Sequence, residues 1–373
     1  MNIEYTMNHI QSGRANGNSI MQDKSPESLI DHDIERQSTS TFLPPHDQDL
    51  QYWDKPGSSW DKAAHSTLQG DPFCCGTEWQ LSYHEAFNPD RKLYIRESSD
   101  SLIALAQAPE SIRPNLFTPV EAHWLFGCPL MGTGAVELLD EAIEDINRHI
   151  HSTNPKPSFM ISGIRPGGVL YRQLKQRFKH RFEFHKLISD TQCGASLKGG
   201  LDGYLSRRSS NHRRNLKKQS QRALRKGVYF ERYSPLNESE VDTIYERMIR
   251  VEEASWKGVG ECGMAEQPAR QYYHLMLKRL AVSGSARIIM ARHEDRDIGF
   301  IFGGIAANIY RGQQFSFSED WSKSSIGNLL QLEQISGLCE EGIRRYDMGP
   351  VMGYKHHWTE KRFNIETWFL KPG

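Results

Sequence analysis

No stretch of this chain comes near the roughly 18 consecutive apolar residues that a membrane-spanning helix needs, so no membrane span is expected. Charge of one sign is equally lacking. Lys plus Arg and Asp plus Glu number 46 each, and no global field draws the protein to nucleic acid or to a membrane, so any electrostatic role must be local. Six scattered cysteines (Cys74, Cys75, Cys128, Cys193, Cys262, Cys339) form no C-x-x-C pair and keep no regular spacing. That argues against a zinc site or a disulfide framework and fits a reducing compartment. H-E-x-x-H and G-x-S-x-G are both missing, and His356-His357 with Asp347 have no specific metal-ligand spacing, so no metal is expected. Residues 1–50 have neither a basic n-region nor an apolar h-region, which excludes a secretory signal there and leads us to expect a cytoplasmic protein. The same segment is too poor in apolar residues to offset the entropy of ordering and is expected to be a disordered tail.

What is present reads as α/β. A helix is expected around Trp79 and Phe87, a strand pair at Lys92–Arg96 and Leu102–Ala106, and a strand at His123–Phe126 running into a Gly-rich loop. The amphipathic helix from Ala135 to about His149 follows, with Leu138, Leu139, Ile143 and Ile146 on one side. Strand, loop and helix then repeat at Phe159–Ser162, Gly163–Gly168 and Val169–Phe178, with Phe182–Leu187 as a further strand. A Gly-rich break at Gly194–Gly203 separates this half from a helix over Tyr204–Lys226, which places a boundary near residue 195. The second half reads as a strand (Val228–Tyr233), two helices (Glu238–Trp256, Gln267–Ser283) and a three-strand meander (Arg287–Ala291, Asp297–Gly304, Asn308–Phe317). A loop, a helix (Ile326–Glu341) and strands at Arg344–Met348 and Ile365–Leu370 complete it. The chain is thus divided into a tail (1–50), a first domain (51–195) and a second (196–373).

Two local features could carry chemistry. The loop Ser324-Ser325-Ile326-Gly327-Asn328 precedes a helix, whose N-terminus offers unpaired N–H groups and the positive end of the dipole to an anion. Gly327 would let backbone approach a diphosphate closely; the alternative is that Ser-Ser is simply an N-cap. The stretch Tyr204–Phe230 holds nine Lys and Arg residues and no acid. It could bind an RNA backbone or a cofactor's phosphates, or be a solvated helix paired with acids elsewhere.

Taken together, Glu253-Ala254-Ser255-Trp256-Lys257-Gly258, then Ser324-Ser325-Ile326-Gly327-Asn328-Leu329-Leu330, then Asp347-Met348-Gly349-Pro350 with Gly353-Tyr354-Lys355 resemble the GNAT-superfamily acetyltransferases of the cellulose-biosynthesis type. Those are relatives of the FemAB-like peptidoglycan aminoacyl transferases. The resemblance spans roughly residues 70–373 and implies two tandem GNAT-like domains with mixed sheets, the first degenerate and the second carrying the acyl donor. It implies acyl-CoA, such as acetyl-CoA, as co-substrate, with aminoacyl-tRNA as the FemAB-type alternative and the basic helix 204–226 as the tRNA contact. The superfamily's usual pyrophosphate loop stands here as Ser-Ser-Ile-Gly-Asn, and a catalytically inert GNAT-fold binding module is the third reading.

Direct acyl transfer to an amine needs a neutral amine, stabilisation of the tetrahedral oxyanion and a proton for the leaving group. Glu252, Glu253 and Asp347 are the candidate bases, with Glu253 and Asp347 preferred. Tyr354 is the candidate acid for a departing thiolate, and Lys355 with Ser324–Asn328 the candidate donor contacts. Trp256 and Lys257 are candidates for the acceptor wall, and a backbone N–H of Asn308–Phe317 would face the oxyanion. The acceptor would be a small molecule, peptide or amino sugar bearing an amine.

Overall fold

The computed structural model describes residues 50–67, 70–149, 155–260 and 263–373. The expected disordered tail lies outside them, save for Leu50. Twelve strands form one sheet in the order β1-β2-β3-β5-β12-β6-β11-β10-β9-β8-β7, with β4 paired to β2. In chain order they are β1 (Leu93–Glu97), β2 (Ser101–Gln107), β3 (Leu116–Pro119), β4 (Leu130–Gly132), β5 (Ser158–Ile164), β6 (Phe182–Ser196), β7 (Val228–Tyr233), β8 (Ala286–His293), β9 (Arg296–Ala306), β10 (Ile309–Phe317), β11 (Arg345–Pro350) and β12 (Lys361–Pro372). Pairing is antiparallel except for β3 with β5 and β10 with β11. The fold is therefore α/β with a mixed sheet, as the alternating pattern implied.

The sheet does not stop where the two halves of the chain meet. β6 is fifteen residues long: Phe182 to Gly194 pair with β12, and Gln192 to Ser196 pair with β11. The Gly-rich break expected over Gly194–Gly203 falls at Leu197–Gly199, after β6 has run on to Ser196. Gly194 is instead a strand residue on which the Tyr346 carbonyl packs 3.0 Å from where a Cβ would stand. The final strand returns across the molecule to lie between β5 and β6.

Helices cover the second half on both faces. On one face lie α6 (Gly200–Ser206), α7 (Ser210–Arg225) and α11 (Ile326–Glu340); on the other, α8 (Glu238–Glu253), the short turn α9 (Trp256–Val259) and α10 (Ala269–Val282). Within the first half, α1 (Ser59–Ser66), α2 (Pro72–Cys75), α3 (Thr77–Phe87), α4 (Ala135–His149) and α5 (Val169–Phe178) complete the set. One core joins the halves: Phe73, Trp79 and Tyr83 of α2 and α3 are buried with Tyr272, Met276 and Leu280 of α10. Arg279 ties the same seam, donating to Asp54 at 2.7 Å and pairing with Glu85.

Two expectations fail for visible reasons. His123–Phe126 is no strand, because four successive backbone N–H groups, from His123 to Phe126, turn inward to the buried carboxylate of Glu121. The turn is completed by Gly127, where a Cβ would sit 2.2 Å from the Cys74 carbonyl oxygen. The basic helix is two helices rather than one, with Ser209 capping α7 after a break at Arg207-Arg208. Arg207 and Arg208 both turn to Glu360 and leave the basic surface.

Candidate functional site

β10 and β11 are paired through Ile309↔Arg345, Tyr310↔Tyr346 and Arg311↔Asp347, and no further. Past that point β10 bulges, with Gln313 inserted between Gly312 and Gln314, while β11, paired with β6 from Arg345 onward, keeps only that partner as far as Pro350. The β11-facing backbone of β10 is thus left without a strand partner beyond Arg311. A narrow cavity of about 50 Å³ occupies the parting, lined by Gly312, Gln313, Phe315, Gln331, Met348, Tyr354 and Lys355 among others. A bulge beside a split in a sheet presents unpaired N–H groups inward, which is what a developing oxyanion requires.

Of the residues singled out from sequence, Tyr354 and Lys355 lie in this cavity. The Lys355 ammonium donates to the carbonyls of Met348 (2.6 Å) and Pro350 (2.9 Å), and burial pulls its pKa down to about 8. Burial likewise pushes the Tyr354 phenol up to about 12, and its ring meets Phe315 edge-on at 5.7 Å. The loop residues lie beside the same strand. A Cβ on Gly327 would stand 3.1 Å from the rings of both Phe315 and Phe317, so the start of α11 rests directly on β10. Ser325, at φ 59°, is the N-cap; no side chain caps the helix, and Asn328 N–H bonds back to the Ser325 carbonyl at 3.1 Å. Ile326 is buried. Lys226, just past the end of α7, donates to Ser324 Oγ at 3.1 Å, and the side chains of Asn328 and Gln219 meet at 3.4 Å. The basic helix thus flanks the uncapped helix start. Arg213, Arg214, Lys217, Lys218, Arg222, Arg225 and Lys226 are all exposed, and none makes an ion pair among the described residues.

Across the sheet, on the face covered by α8 to α10, stand the other candidates. Glu253 is exposed and lies 3.9 Å from Arg270, away from the cavity. Its neighbour Glu252 is fully buried: Oε1 accepts from Met264 N–H at 3.1 Å and lies 3.8 Å from Lys257, while Oε2 has no partner among the described residues. Lys257 reaches the bulge, donating to Gln314 Oε1 and to the Phe315 carbonyl, both at 3.0 Å. Gln314 in turn donates to Tyr273 at 2.8 Å. Trp256 is 59 % exposed beside this network. Asp347 is buried and holds three donors: Arg311 at 3.3 Å, Arg345 at 3.2 Å and Gly349 N–H at 2.9 Å. Burial raises its pKa against the pull of Arg311. Sequence reading missed Arg311 and Gln314, and no local signal marks either, because Arg311's second partner, Asp71, lies 240 positions away in the chain.

With the geometry in place, comparison with known proteins is informative. Residues 210–357 match the acetyltransferase (GNAT) domain family. The matched segment contains the bulge, the parting and the uncapped helix. Over most of the chain the fold is that of a conserved protein of unknown function from Bacteroides thetaiotaomicron (TM-score 0.58, 12 % identity, covering 88 % of this chain and 100 % of that one). It is similar also to FemX (TM-score 0.58, 10 % identity, 84 % and 95 %). A third is the C-terminal domain of a candidate lysylphosphatidylglycerol synthetase from Agrobacterium fabrum (TM-score 0.52, 12 % identity, 84 % and 92 %). At such identities these show a shared fold. No curated protein matches the sequence. Residues 210–357 are thus similar to the GNAT-type acetyltransferase domain, within a fold shared with FemX.

Of the described cysteines, Cys74, Cys75, Cys128 and Cys193 are buried free thiols, and burial pushes each above the ordinary thiol range. Among the described residues no cluster of His, Cys, Asp and Glu is placed to hold a metal, and no helix is long and apolar enough to cross a membrane.

Proposed function

We propose that this protein is an N-acyltransferase that moves an acyl group directly from acyl-CoA to an amine. The observation that carries the reading is the parting of β10 from β11 beside the uncapped start of α11, with Tyr354 and Lys355 in the opening. The donor's phosphates would meet the first-turn N–H groups of α11, Ser324 and the cations of α7. Its thioester would run past Phe315 into the parting, carbonyl oxygen toward the bulge. The acceptor amine would come from the α8 face, where Glu252 or Asp347 takes its proton; Glu253, on the surface, would serve only through water. The new C–N bond forms as the C–S bond breaks, and the thiolate takes a proton. Lys355, with a pKa of about 8, is well matched to a thiol of ordinary pKa near 8.5, whereas Tyr354 holds its proton more tightly.

The seven unpaired cations on α7 exceed what one nucleotide needs and support a second reading, in which the donor is an aminoacyl-tRNA. Calorimetric titration of acetyl-CoA into wild type and into Lys226→Glu separates them. Micromolar binding weakened about tenfold by the charge reversal is expected, about 1.4 kcal/mol. No binding to the wild type would overturn the acyl-CoA donor and move the test to tRNA, where steep salt dependence is the sign to seek. Binding of neither would leave an inert module.

A further inference from the structure

The face of α11 that lies on the sheet carries amides where packing alone would call for apolar side chains. Ile326, Leu329, Leu330, Ile335 and Leu338 are buried there, and so are Gln331 and Gln334, at 6 % and 2 % exposure. Gln331 follows Gly327 by one helical turn and so stands on the same side of α11, the side that rests on β10. It lines the cavity in the parting. So does Gln313, the residue inserted at the bulge of β10.

The two amides have the same unmet need. Nε2 of Gln331 and Nε2 of Gln313 are both buried, and neither has a hydrogen-bond partner among the described residues. The Tyr346 phenol is Gln331's neighbour in the cavity wall and still leaves that nitrogen unpaired. Buried N–H groups without acceptors are costly, and native proteins keep few of them. Lys355, in the same wall, is committed to the carbonyls of Met348 and Pro350. The cavity therefore offers two spare neutral donors and calls for an oxygen. Its volume of about 50 Å³ sets the size of the group that can bring one. On the measure by which a single water needs about 10–15 Å³, it holds roughly three or four non-hydrogen atoms. The carbon, oxygen and methyl of an acetyl group fit; a long acyl chain does not.

We infer that Gln313 and Gln331 bind the thioester oxygen of a two-carbon acyl donor and hold it as the oxyanion forms. The assignment rests on the acyl-CoA reading of this site and goes beyond it in naming side-chain donors and the size of the acyl group. As the amine nitrogen attacks the carbonyl carbon, the π pair of the C=O bond moves onto oxygen, and both amides donate to the alkoxide. Hydrogen bonds to an anion are the stronger kind, so the two donors favour the tetrahedral intermediate over the thioester. When the pair returns and the C–S bond breaks, sulfur leaves as thiolate and takes a proton from Lys355. The proton lost by nitrogen goes to Glu252 or Asp347.

The test needs no acceptor and no turnover. Acetyl-CoA labelled with carbon-13 at the thioester carbonyl is bound to wild type, Gln313→Met and Gln331→Met, and calorimetry compares it with free CoA and hexanoyl-CoA. Thermal melts confirm that the variants fold, and the half-buried Gln313 carries the test should Gln331→Met fail to. The carbonyl resonance should move downfield on binding to wild type and move less in either variant. Wild type should prefer acetyl-CoA to CoA, and each substitution should reduce that preference about fivefold while leaving CoA affinity unchanged. Hexanoyl-CoA should bind no better than CoA. A resonance that stays put, or that shifts equally in all three proteins, with CoA binding intact, would overturn the assignment and leave the acyl-CoA reading standing. Hexanoyl-CoA binding as tightly as acetyl-CoA would overturn the limit to two carbons. Failure of wild type to bind either CoA or acetyl-CoA would remove both readings together.

Discussion

The two faces of the β10–β11 pair handle charge in opposite ways. Toward the first half of the chain, Arg311 and Asp347 are buried to 3 % and 1 % and satisfied by one another, by Asp71 and by Arg345. Toward α11, seven exposed cations have no carboxylate to meet them among the described residues. The buried set holds the sheet together across the seam, since a desolvated charge is stable only when fully partnered. The exposed set makes no ion pair among the described residues and is available to a ligand. Charge density in the sequence pointed only to the second set.

The contrast breaks most sharply at Arg311. Replacing it by Met takes the ion-pair partner from Asp71 and one of two arginines from the buried Asp347, and a loss of about 3–5 kcal/mol is expected, read as a fall in the urea midpoint with unchanged slope. Lys226→Glu, on the other face, should leave that midpoint within about 0.5 kcal/mol of wild type. Equal losses at the two positions would remove the distinction.

How much of this was legible beforehand follows the same line. Local periodicity found the meander, the helix Val169–Phe178 and the helix α11 with its glycine, because each is coded by residues near one another. Tyr354 and Lys355 could be named for the same reason, and Glu253 was preferred to Glu252 although the turn of α8 buries only the latter. The strand at His123–Phe126 was misread because apolar side chains cannot reveal that Glu121 gathers the backbone beneath them. The continuity of β6 through Gly194 was equally hidden, since it depends on β12, some 170 residues later, supplying the other edge. The small pocket beside Arg311 draws on seven separate stretches of chain, and no spacing encodes it.

A smaller effect sharpens the comparison at Lys355, which belongs to the α11 side yet is buried. Its folded pKa of about 8 lies below that of a free lysine, so between pH 8 and about 10 the unfolded chain binds more protons than the folded one. Stability carried by this group is therefore lowest below pH 8 and rises with pH across that window. The melting temperature of wild type should gain a few degrees on that of Lys355→Met between pH 7 and pH 10. A constant difference would mean that Lys355 keeps an ordinary pKa and is poorly suited to protonating a thiolate.

The smallest expected change concerns α7 and has an unusual sign. Arg214, Lys218, Arg222 and Lys226 follow one another at intervals of four, so each repels the next across one turn of the helix, at about 0.2–0.5 kcal/mol a pair. A helix selected only to fold would alternate these with acids. Lys218→Glu turns two repulsions into attractions and should stabilise the protein by roughly 0.5–1 kcal/mol, while weakening acetyl-CoA binding and flattening its dependence on salt. Stability gained together with affinity lost is the signature of charge retained for a ligand. If the substitution raised stability and left donor affinity and its salt slope untouched, the exposed cations would have no part in holding the donor, and the uncapped start of α11 would have to bind its phosphates alone.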